Sequence, residues 1–279
     1  MVSSIMQHFE THCILSDNQH GFHMGRSCET QLLEFVEELT TNLEGARQTD
    51  IIILDFAKAF DRVNHSLLVH KLQCYSIRGS TITWIANFLI DWRQAVVVDG
   101  SCSSYARVRS GVPQGSILGP CLFLAYINDV PEKLTVLLRL FGDDTAVYRV
   151  VYSGTDQVQL QQDLHHLMEW EESWDMLFHP AKCVSLPITR SRSPHDYSYE
   201  LHSHTLDSIS STKYLGITIQ QDMDWDNHIN NVVNKANRRL GFLRCNLKIS
   251  SSAIKERSTE AIPFYPAPSG TGMHSPLMQ

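Results

Sequence analysis

The sequence predicts an α+β fold, because short apolar segments with strand character are interspersed with longer segments of helical periodicity. Two of the short apolar segments carry aspartates at their ends, and a hairpin pattern and a Gly/Pro-rich turn lie between them. Hydrophobic residues make up 43% of the 279 residues, an ordinary proportion for a globular chain. The chain is therefore long enough for one large domain or two small ones.

The first elements are predicted to be a helix, a strand and a second helix. Apolar residues recur at helical spacing over residues 28–46, and Gly45 is the expected terminator. The run IIILDF at residues 51–56 suits a buried strand that delivers Asp55 at its end. A helix is then expected through residues 67–72.

The middle of the chain predicts a hairpin, a buried helix and an acidic turn. β-Branched residues flank an Asp-Gly turn signal in QAVVVDGSCSSYARVRSGVP, as in two strands joined by a loop. The turn GVPQG then leads into an apolar stretch that is expected to be a buried helix. In LLRLFGDDTAVYRVVY, two apolar runs flank Asp143 and Asp144, which predicts a strand, an acidic turn and a second strand.

The C-terminal half predicts two more helices. Apolar residues between 155 and 177 have helical spacing, with Thr155 as the expected N-cap and Pro180 as the stop. Residues 189–212 are rich in Ser, His and Thr and are interpreted as an exposed connection. KYLGITI resumes strand character, and a last amphipathic helix is predicted over residues 229–243. The final twenty or so residues, which include PFYPAP, are expected to be structureless.

Charge is unevenly placed along the chain. The total is −7, yet residues 1–50 hold two basic and eight acidic side chains, whereas residues 229–257 hold seven basic and one acidic. Such local asymmetry matters more for binding a polyanion than the total charge does. The basic segment is therefore a candidate surface for nucleic acid.

Several classes of protein are excluded by composition. The seven cysteines are scattered without a CxxC pair, which argues against a disulfide framework and a zinc site. The apolar stretches fall short of the roughly 20 residues that cross a bilayer, and no signal peptide is apparent. The expectation is a soluble intracellular protein of the cytoplasm or nucleus, without a membrane partner.

The acidic residues are the candidate chemistry. Asp55 and Asp143 are 88 residues apart, yet they and Asp144 can meet if their strands are neighbours. Clustered carboxylates suit two divalent cations that stabilise the attacking and leaving oxygens in phosphoryl transfer. An Asp-Asp pair standing alone is more often a solvated turn. These patterns by themselves lead only as far as metal-dependent phosphoryl transfer.

Six motifs in order resemble the reverse transcriptases of non-LTR retrotransposons, of the jockey and CR1 kind, over roughly residues 19–257. The motifs are QHGFHMGRSCETQLLEF, ILDFAKAFDRVNHSLLVHKL, SGVPQGSILGPCLFLAYIND, RLFGDDTAVY, LFHPAKC and KYLGITI. The resemblance implies a right-hand polymerase, with a palm of antiparallel strands backed by helices. The implied divisions are partial fingers (1–50), palm (51–188), connection and primer-gripping hairpin (189–222), start of a helical thumb (223–257) and tail (258–279).

The resemblance also implies an activity, that of an RNA-directed DNA polymerase. Asp55, Asp143 and Asp144 match the metal-binding aspartates that hold two Mg²⁺ ions, for which Mn²⁺ can substitute. The implied partners are an RNA template, a DNA primer and dNTPs, and the oligomeric state stays open. Lys182 matches a lysine proposed to protonate the pyrophosphate leaving group, and a solvated lysine is the alternative.

Further positions match residues that contact the nucleotide. Phe60 matches the aromatic residue that excludes a 2′-hydroxyl, although an isolated phenylalanine at this spacing is more often part of a core. Gln114 and Gly115, with Gly111, match the loop that lies along the incoming nucleotide, although the same letters form an ordinary turn elsewhere. Asp61 completes the family's AFD triplet, with helix capping as an equal alternative.

Contacts with nucleic acid are implied at three places. Arg26 matches a template-contacting arginine, and Leu215 with Gly216 matches the primer-gripping hairpin. The basic helix is expected to contact phosphates without reading sequence. Its alternative is a solvated helix face. The basic residues in question are Lys235, Arg238 and Arg239.

Some residues depart from the family pattern. His23 and Met24 stand where Arg and Lys are usual, Gly142 replaces Ala in a way expected to loosen the turn, and His179 replaces Asn. An upstream RPISL-type segment has no counterpart, and the resemblance ends at Arg257. These departures predict a truncated retroelement copy, with a second hypothesis of an inactive palm that at most binds nucleic acid.

Overall fold

The protein is described by a computed structural model that covers residues 2–90, 92–113 and 115–246. Helices and strands alternate along the described ranges, as expected of an α+β chain. The helices are α1 (Val2–Thr11), α2 (Cys28–Glu44), α3 (Ala59–Arg62), α4 (His65–Cys74), α5 (Gly79–Leu89), α6 (Leu118–Ile127), α7 (Gly154–Trp174) and α8 (Asp226–Asn246). The strands are β1 (Gln48–Leu54), β2 (Arg93–Gln94), β3 (Val97–Val98), β4 (Ser101–Cys102), β5 (Ala106–Arg107), β6 (Leu137–Phe141), β7 (Asp144–Val151), β8 (Val184–Ile188), β9 (Glu200–Leu201), β10 (His204–Thr205), β11 (Asp207–Ser208), β12 (Ser211–Tyr214) and β13 (Ile217–Gln220).

A five-stranded sheet of order β11-β8-β1-β7-β6 forms the centre of the fold. Strand β1 pairs antiparallel with both β7 and β8, and β6 pairs antiparallel with β7. The short edge strand β11 runs parallel to β8, so the sheet is mixed at that edge. The predicted α+β palm, an antiparallel sheet backed by helices, is otherwise confirmed.

Strand β1 is buried along its length, which explains its continuous apolar sequence. Ile52 and Leu54 belong to the main core together with residues of α4, α6 and α7. Ile51, which directly precedes Ile52, is also fully buried, and α2 packs against β1 and β6. The ring of Phe35 on α2 meets that of Tyr148 on β7 edge-on at 5.1 Å between centroids. Successive side chains of β1 thus enter apolar surroundings on both faces of the sheet.

The buried helix predicted after the Gly/Pro-rich turn is confirmed as α6. Its residues are buried except Pro120, so the helix has no polar face. Each large apolar side chain removed from water here contributes about 1.5–3 kcal/mol to the free energy of folding. The Tyr126 hydroxyl donates a hydrogen bond to the Trp174 carbonyl, which ties α6 to the end of α7.

The predicted hairpin is confirmed, and three helices were missed. Strands β2–β5 and β3–β4 pair around Asp99 and Gly100, whose φ angles of 48° and 80° suit a two-residue hairpin turn. Helices α1 and α5, and the four-residue α3, had no counterpart in the prediction, although Ile5 and Phe9 lie one helical turn apart in α1 and are buried.

Two predictions about the C-terminal half were wrong. Helix α7 begins after Ser153, not Thr155, because the Asp156 carboxylate accepts hydrogen bonds from the N–H groups of Tyr152 and Ser153. It ends at Trp174, where Asp175 takes a left-handed conformation, before Pro180 is reached.

Most of residues 189–212 are exposed, as predicted, but the segment is more than a plain connection. It contains β9, β10 and β11, and Tyr199, Leu201 and Leu206 are buried in the main core. Strands of two residues are too short for an alternating pattern to be visible in sequence.

The chain divides into two compact units, Met1–Ile209 and Ser210–Gln279. The described part of the second unit holds the β12–β13 hairpin and α8. The finer domain boundaries stay predictions, and the tail 258–279 lies outside the described residues. Among the helices described here, none has the length and apolarity to cross a membrane.

Candidate active site of clustered aspartates

The register of the central sheet brings the predicted aspartates together. Leu54, the last residue of β1, pairs with Thr145 near the start of β7. The next positions outward on the two antiparallel chains are Asp55 and Asp144, so these residues face each other at the sheet end. Facing residues in such a ladder have Cα atoms about 4.5–5.5 Å apart. The strand register therefore brings together aspartates that are far apart in the sequence.

Asp143 lies in the tight turn that joins β6 and β7. Phe141 pairs with Asp144, which leaves Gly142 and Asp143 as a two-residue loop. Gly142 has a φ of +63° and Asp143 a negative φ, the combination found in type II′ hairpin turns. Glycine adopts this φ without steric cost, so Gly142 suits the turn rather than loosening it as expected from sequence.

A neighbouring segment holds the backbone of Asp55. The Ala57 N–H donates to the Leu177 carbonyl at 2.7 Å, and the His179 N–H donates to the Asp55 carbonyl at 2.7 Å. The Lys182 N–H in turn donates to the His179 carbonyl at 2.8 Å. These hydrogen bonds hold the segment of Lys182 next to Asp55, and the Lys182 Nζ lies 3.4 Å from the Asp55 Oδ1.

The Lys182–Asp55 ion pair is exposed to solvent. The side chains are 58% and 44% exposed, so the pair contributes less than about 1 kcal/mol to stability. Its interest lies in placing an ammonium group beside the aspartates.

Loss of solvation and mutual repulsion raise the pKa values of both aspartates at the turn. Loss of solvation, together with the negative charges of Asp143 and Asp55, raises the pKa of Asp144 to about 6. The pKa of Asp143 is also raised, by burial first and then by Asp55. The cluster therefore carries more negative charge than its surroundings balance.

The loop with the predicted nucleotide-binding residues packs against the turn that follows Asp55. The Val112 N–H donates to the Phe60 carbonyl at 2.8 Å. Gly111 has a φ of +91°, and a Cβ there would lie 2.8 Å from the Asp61 Cα. The half-buried Phe60 ring stacks on Phe123 at 4.3 Å between centroids. Gly115 has a φ of +82°, and Gln114 lies outside the described residues.

Arg26 is engaged within its own loop. Its guanidinium donates to the Asp17 carboxylate at 2.6 Å and to the Gln19 carbonyl at 3.1 Å. Template contact by Arg26 stays a prediction.

Five predicted nucleic-acid contacts belong to the second unit. Gly216, with a φ of +89°, and Leu215, with a φ of 45°, form the two-residue turn between β12 and β13. The remaining three lie exposed on α8 and are Lys235, Arg238 and Arg239. Their roles likewise stay predictions.

Comparison with known proteins identifies the family. Residues 1–219 match the family described as reverse transcriptase (RNA-dependent DNA polymerase). The chain belongs to the reverse transcriptase family. Its relatives include the probable RNA-directed DNA polymerase from transposon BS of Drosophila melanogaster, 29% identical over 83% of this chain and 26% of that protein. The RNA-directed DNA polymerase from mobile element jockey of the same organism is 29% identical over 77% and 24%.

These relatives confirm the resemblance to non-LTR retrotransposon reverse transcriptases, and the chain spans about a quarter of their length. Apo telomerase from Candida tropicalis superposes with a TM-score of 0.54 at 12% identity, over 81% of this chain and 40% of that one. Telomerase from Candida albicans, in complex with a TWJ fragment of telomeric RNA, gives 0.53 at 14%, over 88% and 43%. These structures confirm the polymerase fold.

Reverse transcriptases use divalent metal ions, and the donor chemistry of this site fits such ions. Asp55, Asp143 and Asp144 offer the hard carboxylate oxygens that Mg²⁺ prefers, and a cation would offset the loss of solvation and the repulsion that raise the pKa values of Asp143 and Asp144. In the part of the chain that the structure describes, no three acidic, imidazole or thiol groups already converge on one point.

Asp144 is expected to make the metal-free protein less stable as the pH rises from about 4 to about 6. Because its pKa is about 6 in the folded protein and usually near 3.8, the unfolded chain loses this proton first, and ionisation then favours unfolding. Asp144→Asn removes this penalty. In EDTA, the melting temperature of Asp144→Asn minus that of the wild type should be larger by about 2 °C at pH 7.5 than at pH 4.5.

The matched control is Asp99→Asn, the same substitution in the exposed hairpin turn between β3 and β4. A pH-independent difference for Asp144→Asn would show that the carboxyl titrates normally.

Sequence reasoning missed two residues that support the site. The Asp55 N–H points at the buried Cys183 sulfur at 3.5 Å, and Gln19 contacts the turn of Asp143. Cys183 lies in the motif LFHPAKC, which was noted for Lys182, and Gln19 lies in QHGFHMGRSCETQLLEF, which was noted for Arg26. Position in a motif was thus the only signal available, because their partners are distant in sequence.

Proposed function

We propose that this domain extends a DNA primer on an RNA template, joining the α-phosphate of an incoming dNTP to the primer 3′-hydroxyl with release of pyrophosphate. The observation that carries the proposal is the register of β1 and β7, which sets Asp55 opposite Asp144 with Asp143 in the adjoining turn. An acidic cluster at this position in a reverse transcriptase fold supports nucleotidyl transfer.

Each group of residues has a part in the proposed reaction. Asp55, Asp143 and Asp144 would hold two Mg²⁺ ions, or Mn²⁺ in their place, and these ions supply stabilisation of the negative charge on the reacting phosphate. The loop of Gln114 and Gly115 would lie along the nucleotide. The Phe60 ring, held by its stacking on Phe123, would exclude a 2′-hydroxyl.

Lys182 is placed to act on the leaving group. Its ammonium group lies beside Asp55 and retains over half of its exposure, so it can turn from the carboxylate to a bound phosphate. We propose that it donates a proton to the pyrophosphate oxygen as the bond to the α-phosphate breaks.

Lys182→Met is expected to lower kcat about a hundredfold through loss of this general acid. The melting temperature should hardly change, because the ion pair is exposed. Steady-state kinetics with varied dNTP measure both constants, and the KM for dNTP should stay within about threefold. The control is Lys133→Met, another exposed lysine. A rise in KM with kcat unchanged would assign Lys182 to binding instead.

The activity is tested by primer extension with the purified 279-residue chain. A labelled DNA primer annealed to an RNA template is incubated with dNTPs and Mg²⁺, and products are resolved by length. We expect extension with Mg²⁺ and none with EDTA. Absence of extension with either Mg²⁺ or Mn²⁺ would reject catalysis by this chain and leave the fold assignment intact.

A second candidate function is nucleic-acid binding without catalysis. It is favoured by the exposed basic residues of α8. If α8 contacts phosphates, affinity for an RNA–DNA hybrid should fall steeply with salt, and replacing Arg238 with Ala should reduce the slope of log K against log salt by about 1. Fluorescence anisotropy at several salt concentrations measures this slope. A slope that Arg238→Ala leaves unchanged would remove α8 from the interface.

A further inference from the structure

Gln19 places a buried amide against the turn that carries Asp143. Its side-chain oxygen accepts hydrogen bonds from the Gly21 N–H at 2.7 Å and from the Gly142 N–H at 3.0 Å. Its side-chain nitrogen donates to the Gly142 carbonyl at 3.4 Å. Gln19 is 3% exposed, so these bonds form away from water. One side chain thus bonds to both backbone polar groups of Gly142.

The backbone around Gln19 is fixed to the same hairpin. The Leu140 N–H donates to the Asn18 carbonyl and the His20 N–H donates to the Leu140 carbonyl, both at 2.9 Å. Residue 19 therefore forms a parallel bridge to the outer edge of β6. At Gly21 the two chains are so close that a Cβ would lie 2.2 Å from the Gly142 nitrogen. The segment can hardly shift without moving the turn.

These contacts matter because a two-residue turn has few bonds of its own. The orientation of Asp143 follows from the peptide planes on either side of it, and Gly142 is a residue with wide conformational freedom. A buried N–H must also find an acceptor, and Gln19 supplies the acceptor for Gly142. We propose that Gln19 is a positioning residue, which holds the Gly142 peptide so that the Asp143 carboxylate is oriented to bind divalent cations. This inference rests on the proposed function for its role in catalysis.

Gln157 provides a matched control within the same unit. It is also a buried glutamine, 2% exposed, and its side chain donates to the Asp50 carboxylate at 3.0 Å and to the His195 carbonyl at 3.3 Å. Asp50 lies near the start of β1, whereas Asp55 follows its end. Replacing either glutamine with methionine removes the side-chain amide and keeps a side chain of similar length. The two variants therefore lose comparable buried hydrogen bonds at opposite ends of one strand.

The test uses the full chain with Gln19→Met and Gln157→Met. Hydrogen–deuterium exchange, measured without metal, reports directly on the Gly142 amide. We expect exchange in peptides covering residues 141–144 to rise about tenfold in Gln19→Met and to stay unchanged in Gln157→Met. Binding of Mn²⁺, followed by the electron paramagnetic resonance signal of the free ion, should weaken at least about threefold in Gln19→Met alone.

The outcomes separate this inference from the proposed function. Unchanged exchange at residues 141–144 in Gln19→Met would overturn the positioning role, whatever the activity. Faster exchange with unaltered Mn²⁺ affinity would overturn the link between the turn and cation binding. If the wild type neither binds Mn²⁺ nor extends a primer, the proposed function fails and the exchange experiment still decides whether Gln19 holds the turn. Equal effects of both variants would reduce Gln19 to a general stabilising residue.

Discussion

Asp143→Asn is expected to abolish primer extension on an RNA template, lowering the single-turnover rate by about a thousandfold or more. Asparagine keeps the size of the side chain and replaces a negative oxygen with a neutral amide. The site would then lose charge at the position where a divalent cation is proposed to bind. The fold should be preserved, because Asp143 is an exposed turn residue whose charged form is disfavoured by partial loss of solvation and by Asp55, so its neutralisation removes a repulsion.

Thermal unfolding and a matched control variant test this prediction. Thermal unfolding of Asp143→Asn in EDTA should show a melting temperature equal to or above that of the wild type, because a repulsive charge has been removed. Asp99→Asn, a matched change in an exposed turn with a positive φ that asparagine tolerates, should retain full activity. Extension by Asp143→Asn within about tenfold of the wild type would show that this carboxylate is not a metal ligand.

Gly111→Ala is expected to destabilise the protein by about 3 kcal/mol or more, since it adds a steric clash to an unfavourable backbone angle. The new Cβ would lie 2.8 Å from both the Cα and the carbonyl oxygen of Asp61 and 2.9 Å from the carbonyl oxygen of Phe60. All three are backbone atoms, which cannot rotate away. The loop must therefore separate from the turn after Asp55, and the KM for dNTP should rise as well.

Gly115→Ala is the control for backbone strain alone. Gly115 has a similar φ of +82°, yet nothing lies within 4 Å of the position its Cβ would take. We expect a cost of about 1 kcal/mol there, so the difference between the variants isolates the close contact. Urea denaturation gives both free energies of unfolding. Equal costs would mean that the loop does not approach Asp61 as closely as described.

Some elements of this protein were predicted correctly from sequence and others were not, for physical reasons that differ between the elements. The apolar run before Asp55 predicted a buried strand because both faces of β1 are covered, and the uniform apolar character of α6 predicted its burial. The buried residues of the polar segment 189–212 were missed, because Tyr199 and Leu206 are single core residues that flank strands of only two residues. The N-cap of α7 was placed two residues late, since Thr155 and Ser153 are equally good capping residues and only the bonds of Asp156 distinguish them.

The sequence by itself determined the α+β class, the reverse transcriptase family and the acids that make the site worth testing. These features depend on periodicity within a few residues and on motifs in linear order, so no long-range contact is needed to find them. Only the tertiary structure decided that Asp55 faces Asp144, that Lys182 pairs with Asp55 across 127 positions, and that Gln19 holds Gly142 across 123. Such contacts form only when the strands pair in one register and each buried polar group finds a hydrogen-bond partner. Both conditions depend on the packing of the whole chain and not on a short stretch of sequence.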